Sequence, residues 1–229
     1  MCKLIVIEGS DGSGKQTQSK LLYEYLLKNG KRVKLISFPD YKSDDIKMLH
    51  NMLNGEYCGS INDMNVYVSC SLFALDRWNS FIKEWKDFYF DEDSYIICDR
   101  YAESMMMYAS NRFSTTEEKN NIINYILDLE YNKYNIPVPN KVIYLNRNYK
   151  NADKSLQKRD VKNKTGNESV DIIERDSEFI STINSNIEIV KNNSEKFSSS
   201  TSWSIIDYAI QGREKTIDEI HNEIKRLIQ

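Results

Sequence analysis

The sequence has little of what several common functional sites require. It contains four cysteines and two histidines, and no pair of cysteines has C-x-x-C spacing, so a zinc cluster is not expected and the cysteines are predicted to be reduced thiols. Excess positive charge is also missing, because 31 Lys and Arg stand against 34 Asp and Glu, for a net charge of -3. Without a basic field to hold a polynucleotide backbone, a nucleic-acid partner is not expected.

Long apolar runs are missing as well. The longest run near the N-terminus, Leu4 to Ile7, ends at Glu8 and is far shorter than a signal-sequence core or a membrane span. We therefore expect a cytoplasmic protein with no membrane partner. The length of 229 residues and the hydrophobic content of 40% are sufficient for a single domain over residues 1–229 with a substantial core.

Short apolar runs alternate with longer helical patterns along the chain. The stretches 62–90 and 117–134 have apolar residues at helical spacing and predict long helices. The alternation is typical of an α/β protein with a parallel sheet flanked by helices, and it predicts five strands. These runs cover residues 3–7, 33–37, 95–98, 141–145 and 203–206.

A polar stretch interrupts this pattern. From residue 148 to about 170 the chain is rich in Lys, Arg, Asn and Asp, so it contributes little to a core. It is predicted to be a mobile lid, with an ordinary surface loop as the alternative. Its cations include Lys158 and Arg159, and a cation held over a transferring phosphoryl group is a recurrent device in phosphoryl transfer.

A glycine-rich loop joins the first apolar run to the first helical pattern. It follows the G-x-x-x-x-G-K spacing, which lets backbone N–H groups converge on a phosphate at a helix N-terminus while the lysine reaches the outer phosphates. The next residue, usually a Ser or Thr that binds magnesium, is a glutamine. The loop predicts a three-layer P-loop kinase fold. The predicted ATP contacts are Gly9, Ser10, Asp11, Gly12, Ser13, Gly14, Lys15, Gln16 and Thr17.

Three further groups of residues are candidate ligand contacts, with a surface ion pair, a turn and a core residue beside a solvated arginine as the respective alternatives. Asp99 and Arg100 follow an apolar run and are expected at the carboxyl end of a parallel strand, where the acid can hold magnesium through water and the guanidinium can clamp phosphate. Phe38-Pro39 ends the second strand at the same edge. Phe73 and Arg77 are four residues apart on a predicted helix and share a face, where a ring can stack on a base.

Together these motifs resemble the thymidylate kinase family of P-loop nucleoside monophosphate kinases. The resemblance rests on the loop from Glu8 to Lys15, Phe38-Pro39, the F-x-x-x-R from Phe73 to Arg77, and Asp99-Arg100-Tyr101 with Ser104 and Tyr108 beyond it. It implies transfer of the γ-phosphoryl group of ATP to dTMP, which gives dTDP and ADP and requires Mg2+. It also implies a homodimer formed through the long helices.

The resemblance also implies a role for individual residues. Lys15 and the loop amides would hold the ATP phosphates, Asp11 would orient the acceptor, and Arg100 would grip the dTMP phosphate. Gly12 stands where some members have an arginine, so Arg159 is the expected catalytic cation, and catalysis is assigned to Lys15, Asp11, Arg100 and Arg159. Asp99 would hold Mg2+, with Gln16 as a second candidate ligand. The implied dTMP contacts are Asp11, Phe38, Pro39, Tyr41, Phe73, Arg77, Arg100, Ser104 and Tyr108.

The departures from the family pattern affect base selectivity. Tyr41 stands near a position where an arginine often reaches the acceptor phosphate, and Met105 and Ala109 replace polar side chains often found near the base. A site that lacks a hydrogen-bonding group discriminates less between similar bases, so acceptance of a wider range of nucleotides stays open. The sequence is also compatible with a deoxynucleoside kinase and with a non-catalytic nucleotide-binding protein. Adenine is placed near Asp207 to Arg213 by position alone.

Overall fold

The computed structural model describes residues 2–60, 63–147, 182–211 and 213–228. The predicted lid and its candidate catalytic residue Arg159 lie outside these residues. The strands are β1 (Lys3–Gly9), β2 (Arg32–Ser37), β3 (Ser94–Asp99), β4 (Lys141–Asn146), β5 (Ser202–Asp207), β6 (Ala209–Ile210) and β7 (Arg213–Glu214). The α-helices are α1 (Lys15–Lys28), α2 (Lys47–Leu53), α3 (Val66–Ser80), α4 (Lys86–Tyr89), α5 (Ala102–Ser110), α6 (Thr116–Leu127), α7 (Ile187–Phe197) and α8 (Ile217–Leu227).

Strands β1 to β5 form one parallel sheet in the order β2-β3-β1-β4-β5. The five predicted strands are therefore confirmed. The pairing brings the last residues of the strands to one edge, with Ile7 opposite Asp99, Gly9 opposite Leu145, and Asn146 opposite Asp207. The carboxyl edge of such a sheet is where ligands of open α/β folds bind.

Two apolar layers cover the two faces of this sheet. Side chains alternate along a strand, so Leu4 and Val6 of β1 pack into the cluster with α3, α5 and α6, whereas Ile5 and Ile7 pack against α1 and α8. Because both faces are covered, the central strands β1, β3 and β4 are hydrophobic almost without interruption, whereas the edge strands β2 and β5 also contain polar residues. The result is the predicted three-layer α/β arrangement.

The two long predicted helices are present, and each changes its winding near its end. Helix α3 continues into a π-helical turn at Phe81–Trp85 and then α4, and α6 continues into a π-helical turn at Asp128–Lys133. Helix α6 begins with a capping box formed by Thr115 and Glu118, which satisfies backbone N–H groups of its first turn. No helix in the described part of the chain is both long and apolar enough to cross a membrane.

Candidate active site

The glycine-rich loop lies between β1 and α1 at the carboxyl edge of the sheet. Gly9, Gly12 and Gly14 have φ values of 151°, 76° and 86°, which side chains other than glycine rarely adopt. A Cβ on Gly9 would also lie 2.6 Å from Ser13 Oγ and 2.7 Å from the carbonyl oxygen of Leu145. The glycines thus allow a tight turn that β4 approaches closely.

Lys15 occupies the interior of this loop. Its side chain is buried, and Nζ donates to the carbonyl oxygen of Ser10 at 2.8 Å. Burial, together with the charge of Arg100, lowers the pKa of Lys15 to about 8. The buried hydroxyl oxygens of Ser10 and Ser13 have no hydrogen-bond partner among the described residues. A desolvated cation beside unsatisfied hydroxyl groups is an arrangement that suits a phosphate.

Asp11 connects the loop to the residues that follow β3. It forms an ion pair with the guanidinium of Arg100, accepts a hydrogen bond from Tyr108 Oη at 3.2 Å, and lies 3.9 Å from Lys15 Nζ. Burial alone would lower the pKa of Arg100, but the carboxylates, led by Asp11, hold it well above its usual value. The structure therefore brings together four of the predicted site residues: Asp11, Lys15, Arg100 and Tyr108.

Arg100 is held in a backbone conformation that few residues adopt. Its φ is 67°, and its N–H donates to the carbonyl oxygen of Ile7 at 3.2 Å. A left-handed conformation in an arginine costs free energy and persists only where the surroundings fix it. Here the bond to β1 helps to fix it, and the guanidinium is directed at Asp11.

Glu8 is a site residue that the motifs did not predict to be functional. It is fully buried, and its Oε1 accepts from the N–H groups of Tyr101 and Ser104 and from the hydroxyl of Ser104. Burial raises its pKa. Helix α5 has no cap from its own N-cap residue, Tyr101, so a carboxylate from the end of β1 takes that place.

The Ser104 hydroxyl already uses its proton in a hydrogen bond within the protein, so toward a ligand it can act mainly as an acceptor. The group donates to Glu8 and lies 3.5 Å from Arg100 Nη1. Its predicted place in the dTMP pocket remains a prediction. The signal that identifies Glu8 is a charged residue in an otherwise apolar strand, directly before the glycine loop, and such a residue is buried only when it is paired.

The segment after β2 lies beside the end of β3, where the N–H of Phe38 donates to the carbonyl oxygen of Asp99 at 3.0 Å. Phe38 is buried, and its ring centroid lies 6.0 Å from that of Tyr101. The Phe38-Pro39 peptide bond is cis. Tyr41 stacks on His50 at a centroid distance of 6.2 Å. The N–H of Asp40 donates to Asp76, whose pKa is raised to about 6 by burial.

Phe73 and Arg77 lie on α3 as predicted, and both are buried. The motifs did not predict a protein partner for Arg77, but in the structure its guanidinium is hydrogen-bonded to a carboxylate. Nε and Nη2 of Arg77 donate to Glu130 in the π-helical turn after α6, while Nη1 does not contact this carboxylate. Although burial works in the opposite direction, Glu130 raises the pKa of Arg77. Glu130 is 53 residues away in the sequence, so no local pattern could identify the pair.

Magnesium ligands are few in the described residues. These residues contain no group of three or more His, Cys, Asp or Glu able to hold a metal ion. Asp99 is half-buried at the end of β3, and Gln16 is exposed in the first turn of α1. Because Mg2+ usually takes one or two carboxylates and completes its shell with substrate phosphates and water, the half-buried carboxylate of Asp99 suits this ion. The amide oxygen of Gln16 stays a predicted second ligand.

The segment after β5, which was placed near adenine by position alone, also contacts the glycine loop. Tyr208, in this segment, donates through Oη to the carbonyl oxygen of Ser13. Arg147, which follows β4, donates through Nη1 to the carbonyl oxygen of Gly12 at 3.0 Å. Arg213 is directed elsewhere, toward Glu219. Neither Arg147 nor its partner Glu214 was identified from the sequence, because neither belongs to a recognisable motif.

Comparisons with known proteins identify the family to which the chain is similar. The family model described as thymidylate kinase matches residues 7–200. The chain is 37% identical over 108 residues to a thymidylate kinase of Plasmodium falciparum (isolate 3D7), a match that spans 47% of this chain and 48% of that relative. It is 28% identical over 224 residues to a probable thymidylate kinase of Methanococcus aeolicus, a match that spans 98% of this chain and 94% of that relative.

A solved structure extends the likeness to the fold. The thymidylate kinase of Candida albicans superposes with a TM-score of 0.66 at 21% identity, covering 99% of this chain and 91% of that one. The matches to the first relatives span only about half of their length, whereas the family model covers most of this chain, from the end of β1 to the turn before β5. The chain belongs to the thymidylate kinase family.

Proposed function

We propose that this protein transfers the γ-phosphoryl group of ATP to dTMP and forms dTDP and ADP. The observation that carries the proposal is the meeting of Lys15, Asp11 and Arg100 at one edge of the sheet. Lys15 belongs to a loop shaped for the donor phosphates, and Arg100 stands beside it with a cation that can take a second phosphate. Phosphoryl transfer between two phosphates depends on holding both of them close together and neutralising their charge, and these two neighbouring cations suit that task.

On the acceptor side, Arg100 would bind the phosphate of dTMP with two parallel hydrogen bonds. Its present partner, Asp11, would then be available for the sugar hydroxyl. Tyr108 already donates to the other oxygen of Asp11, so this carboxylate stays oriented when the arginine turns to the phosphate.

The base would lie between α3 and α5. Phe73 would stack on thymine, and Arg77 would donate to a carbonyl oxygen of the ring. Phe38, Pro39, Tyr41 and Ser104 are the other proposed dTMP contacts. Met105 is buried and Ala109 is fully buried, so these two positions supply shape and no hydrogen bonds, which favours some tolerance toward other bases.

Chemistry at this site depends on position and charge. Magnesium bound by Asp99 and Gln16 would neutralise charge on the donor phosphates. Lys15 would do the same from the loop, and no covalent intermediate with the protein is required. Arg159 is proposed as the additional cation at the transferring group, and its replacement by alanine is expected to lower kcat by on the order of 10³.

A homodimer is proposed on the exposed side of α3. Val68, Leu75, Trp78 and Ile82 have between 38% and 44% of their surface exposed and are separated by 7, 3 and 4 residues. This spacing makes an apolar stripe along α3 and into the π-helical turn that contains Ile82, and a second copy of the chain can cover it about a twofold axis. We expect Trp78→Glu to shift the protein from dimer to monomer in sedimentation velocity, while Lys20→Glu on α1 should leave the dimer intact.

A cytoplasmic location is proposed from the thiols. All four cysteines are free, and three of them are buried. Proteins of oxidising compartments commonly join their cysteines into disulfides, whereas free buried thiols are typical of a reducing compartment.

An ADP-release assay with Mg2+ tests the proposed reaction. We expect release with dTMP and none with thymidine, and Lys15→Ala and Arg100→Met should abolish it. Stimulation by thymidine instead would indicate a nucleoside kinase. If well-folded protein binds dTMP and ATP without forming ADP, the proposed activity is wrong and the protein is a nucleotide-binding protein.

A further inference from the structure

The outer side of the glycine loop is held by two side chains from distant parts of the chain. Arg147 follows β4 and donates to the carbonyl oxygen of Gly12 at 3.0 Å, and Tyr208 follows β5 and donates to that of Ser13. A loop between β1 and α1 is thus fastened at two consecutive peptide groups by the two strands on one side of it.

These two side chains also support each other. The guanidinium carbon of Arg147 lies 5.3 Å from the ring centroid of Tyr208, within the range of a cation–π contact. Nε and Nη2 of Arg147 donate to the two carboxylate oxygens of Glu214 at 3.2 and 2.9 Å. We call Arg147, Tyr208 and Glu214 the loop strap.

Backbone hydrogen bonds to the end of β4 and to the residue after β7 hold Tyr208 in place. The N–H of Tyr208 donates to the carbonyl oxygen of Asn146 at 3.1 Å, and its carbonyl oxygen accepts from the N–H of Lys215 at 2.8 Å. Burial raises the pKa of the Tyr208 hydroxyl, so this group remains a hydrogen-bond donor at neutral pH.

Contacts to carbonyl oxygens determine where the neighbouring N–H groups point. In a planar trans peptide, the C=O of one residue and the N–H of the next point in opposite directions. Tyr208 holds the carbonyl of Ser13, so the N–H of Gly14 must point to the opposite side. Arg147 likewise holds the carbonyl of Gly12, so the N–H of Ser13 points away from Arg147. This N–H donates to the carbonyl oxygen of Ser10 at 3.1 Å and closes the turn.

We propose that the loop strap is a positioning device that sets the peptide planes of the glycine loop and thereby the affinity for the phosphates of the donor nucleotide. Gly14 supports this role, because a Cβ there would lie 3.1 Å from Tyr208 Oη and its φ is 86°. The strap and the glycine are therefore packed directly against each other. The inference rests on the proposed ATP site, but it is tested by phosphate binding, without turnover.

The substitution Tyr208→Phe provides the sharpest test, because it removes one hydroxyl and keeps the ring under Arg147. The probes are inorganic tripolyphosphate, which lacks a base, and ADP, with affinities measured by calorimetry in Mg2+. We expect both dissociation constants to rise about 3- to 10-fold, as the loss of one hydrogen bond predicts. The KM for dTMP and the melting temperature should change little.

Two further variants make the test specific. Glu214→Asp keeps the negative charge but withdraws the carboxylate from Arg147 by one methylene, so it should weaken tripolyphosphate in the same direction. Tyr131→Phe is the matched control, since this tyrosine in the π-helical turn after α6 is buried and its hydroxyl donates to Glu103 instead of the loop. It should leave tripolyphosphate affinity unchanged.

Each contrary outcome overturns the proposal in a recognisable way. If ADP binds less tightly while tripolyphosphate binds as before, Tyr208 contacts the nucleoside and does not position the loop. If neither affinity changes, the strap has only a structural role. If dTMP affinity falls equally, the variant disturbs the whole site. Failure of the proposed reaction is separate, because it would appear as tight ADP binding without dTMP-dependent turnover.

Discussion

Removing the charge of Glu130 should destabilise the protein more than any comparable change on its surface. Arg77 and Glu130 are 2% and 0% exposed, and the guanidinium meets both carboxylate oxygens. Glu130→Gln leaves the buried arginine charge without the carboxylate to which it is hydrogen-bonded. Breaking such a pair from one side costs about 3–5 kcal/mol. At about 2.1 cal/mol/K per residue over 229 residues, the melting temperature should fall by about 6–10 °C.

Differential scanning calorimetry measures this change, and two variants make it interpretable. Glu219→Gln removes the same charge from an exposed Arg–Glu pair and keeps a side chain able to complete the helix cap, so we expect little effect. The double substitution Arg77→Met with Glu130→Leu removes both charges and should recover most of the stability. If Glu130→Gln melts within about 2 °C of the parent, the buried pair does not exist as described.

Three further changes test other parts of the site. The kcat/KM for ATP should fall as the pH rises through about 8, because Lys15 then loses its charge; a flat profile to pH 9.5 would contradict this. The carboxyl group of Asp76 keeps its proton up to about pH 6 in the folded protein, whereas an unfolded Asp releases it near pH 4. The free energy of unfolding therefore falls as the pH rises from about 4 to about 6. Asp76→Asn should therefore raise the unfolding free energy at pH 7 by on the order of 2 kcal/mol, and urea titrations at pH 4 should show no gain. Gly9→Ala should abolish ATP binding through its clashes with Ser13 and Leu145, while Gly59→Ala, which meets nothing within 4 Å, should bind normally in the same titration.

The sheet could be predicted from sequence because its signal is local. A run such as Leu4 to Ile7 is buried on both faces, so every residue in it must be apolar, and the run is visible without any knowledge of its neighbours. The glycine loop is equally local, since its chemistry requires fixed spacing over a few residues. Asp99 and Arg100 followed from the same reasoning, because the end of a parallel strand defines an edge.

The polar pairs of the site could not be predicted for the opposite reason. Glu8 contacts Tyr101 across 93 residues and Arg77 contacts Glu130 across 53. Each partner alone is only a charged residue in an apolar pattern. The winding of α6 into a π-helical turn, which carries Glu130 into the interior, also leaves no periodic signal. Which charges meet is decided by packing, and packing is read only from the fold.

The carboxylate of Glu8 has a consequence for the precision of the reaction. It belongs to the strand that leads into the glycine loop, and it also caps the first turn of the helix that begins beside Arg100. The peptide N–H of Arg100 is tied to the same strand through Ile7. The backbones of the two proposed phosphate-binding groups are therefore anchored to one strand, which restrains the distance between them. In-line transfer depends on that separation.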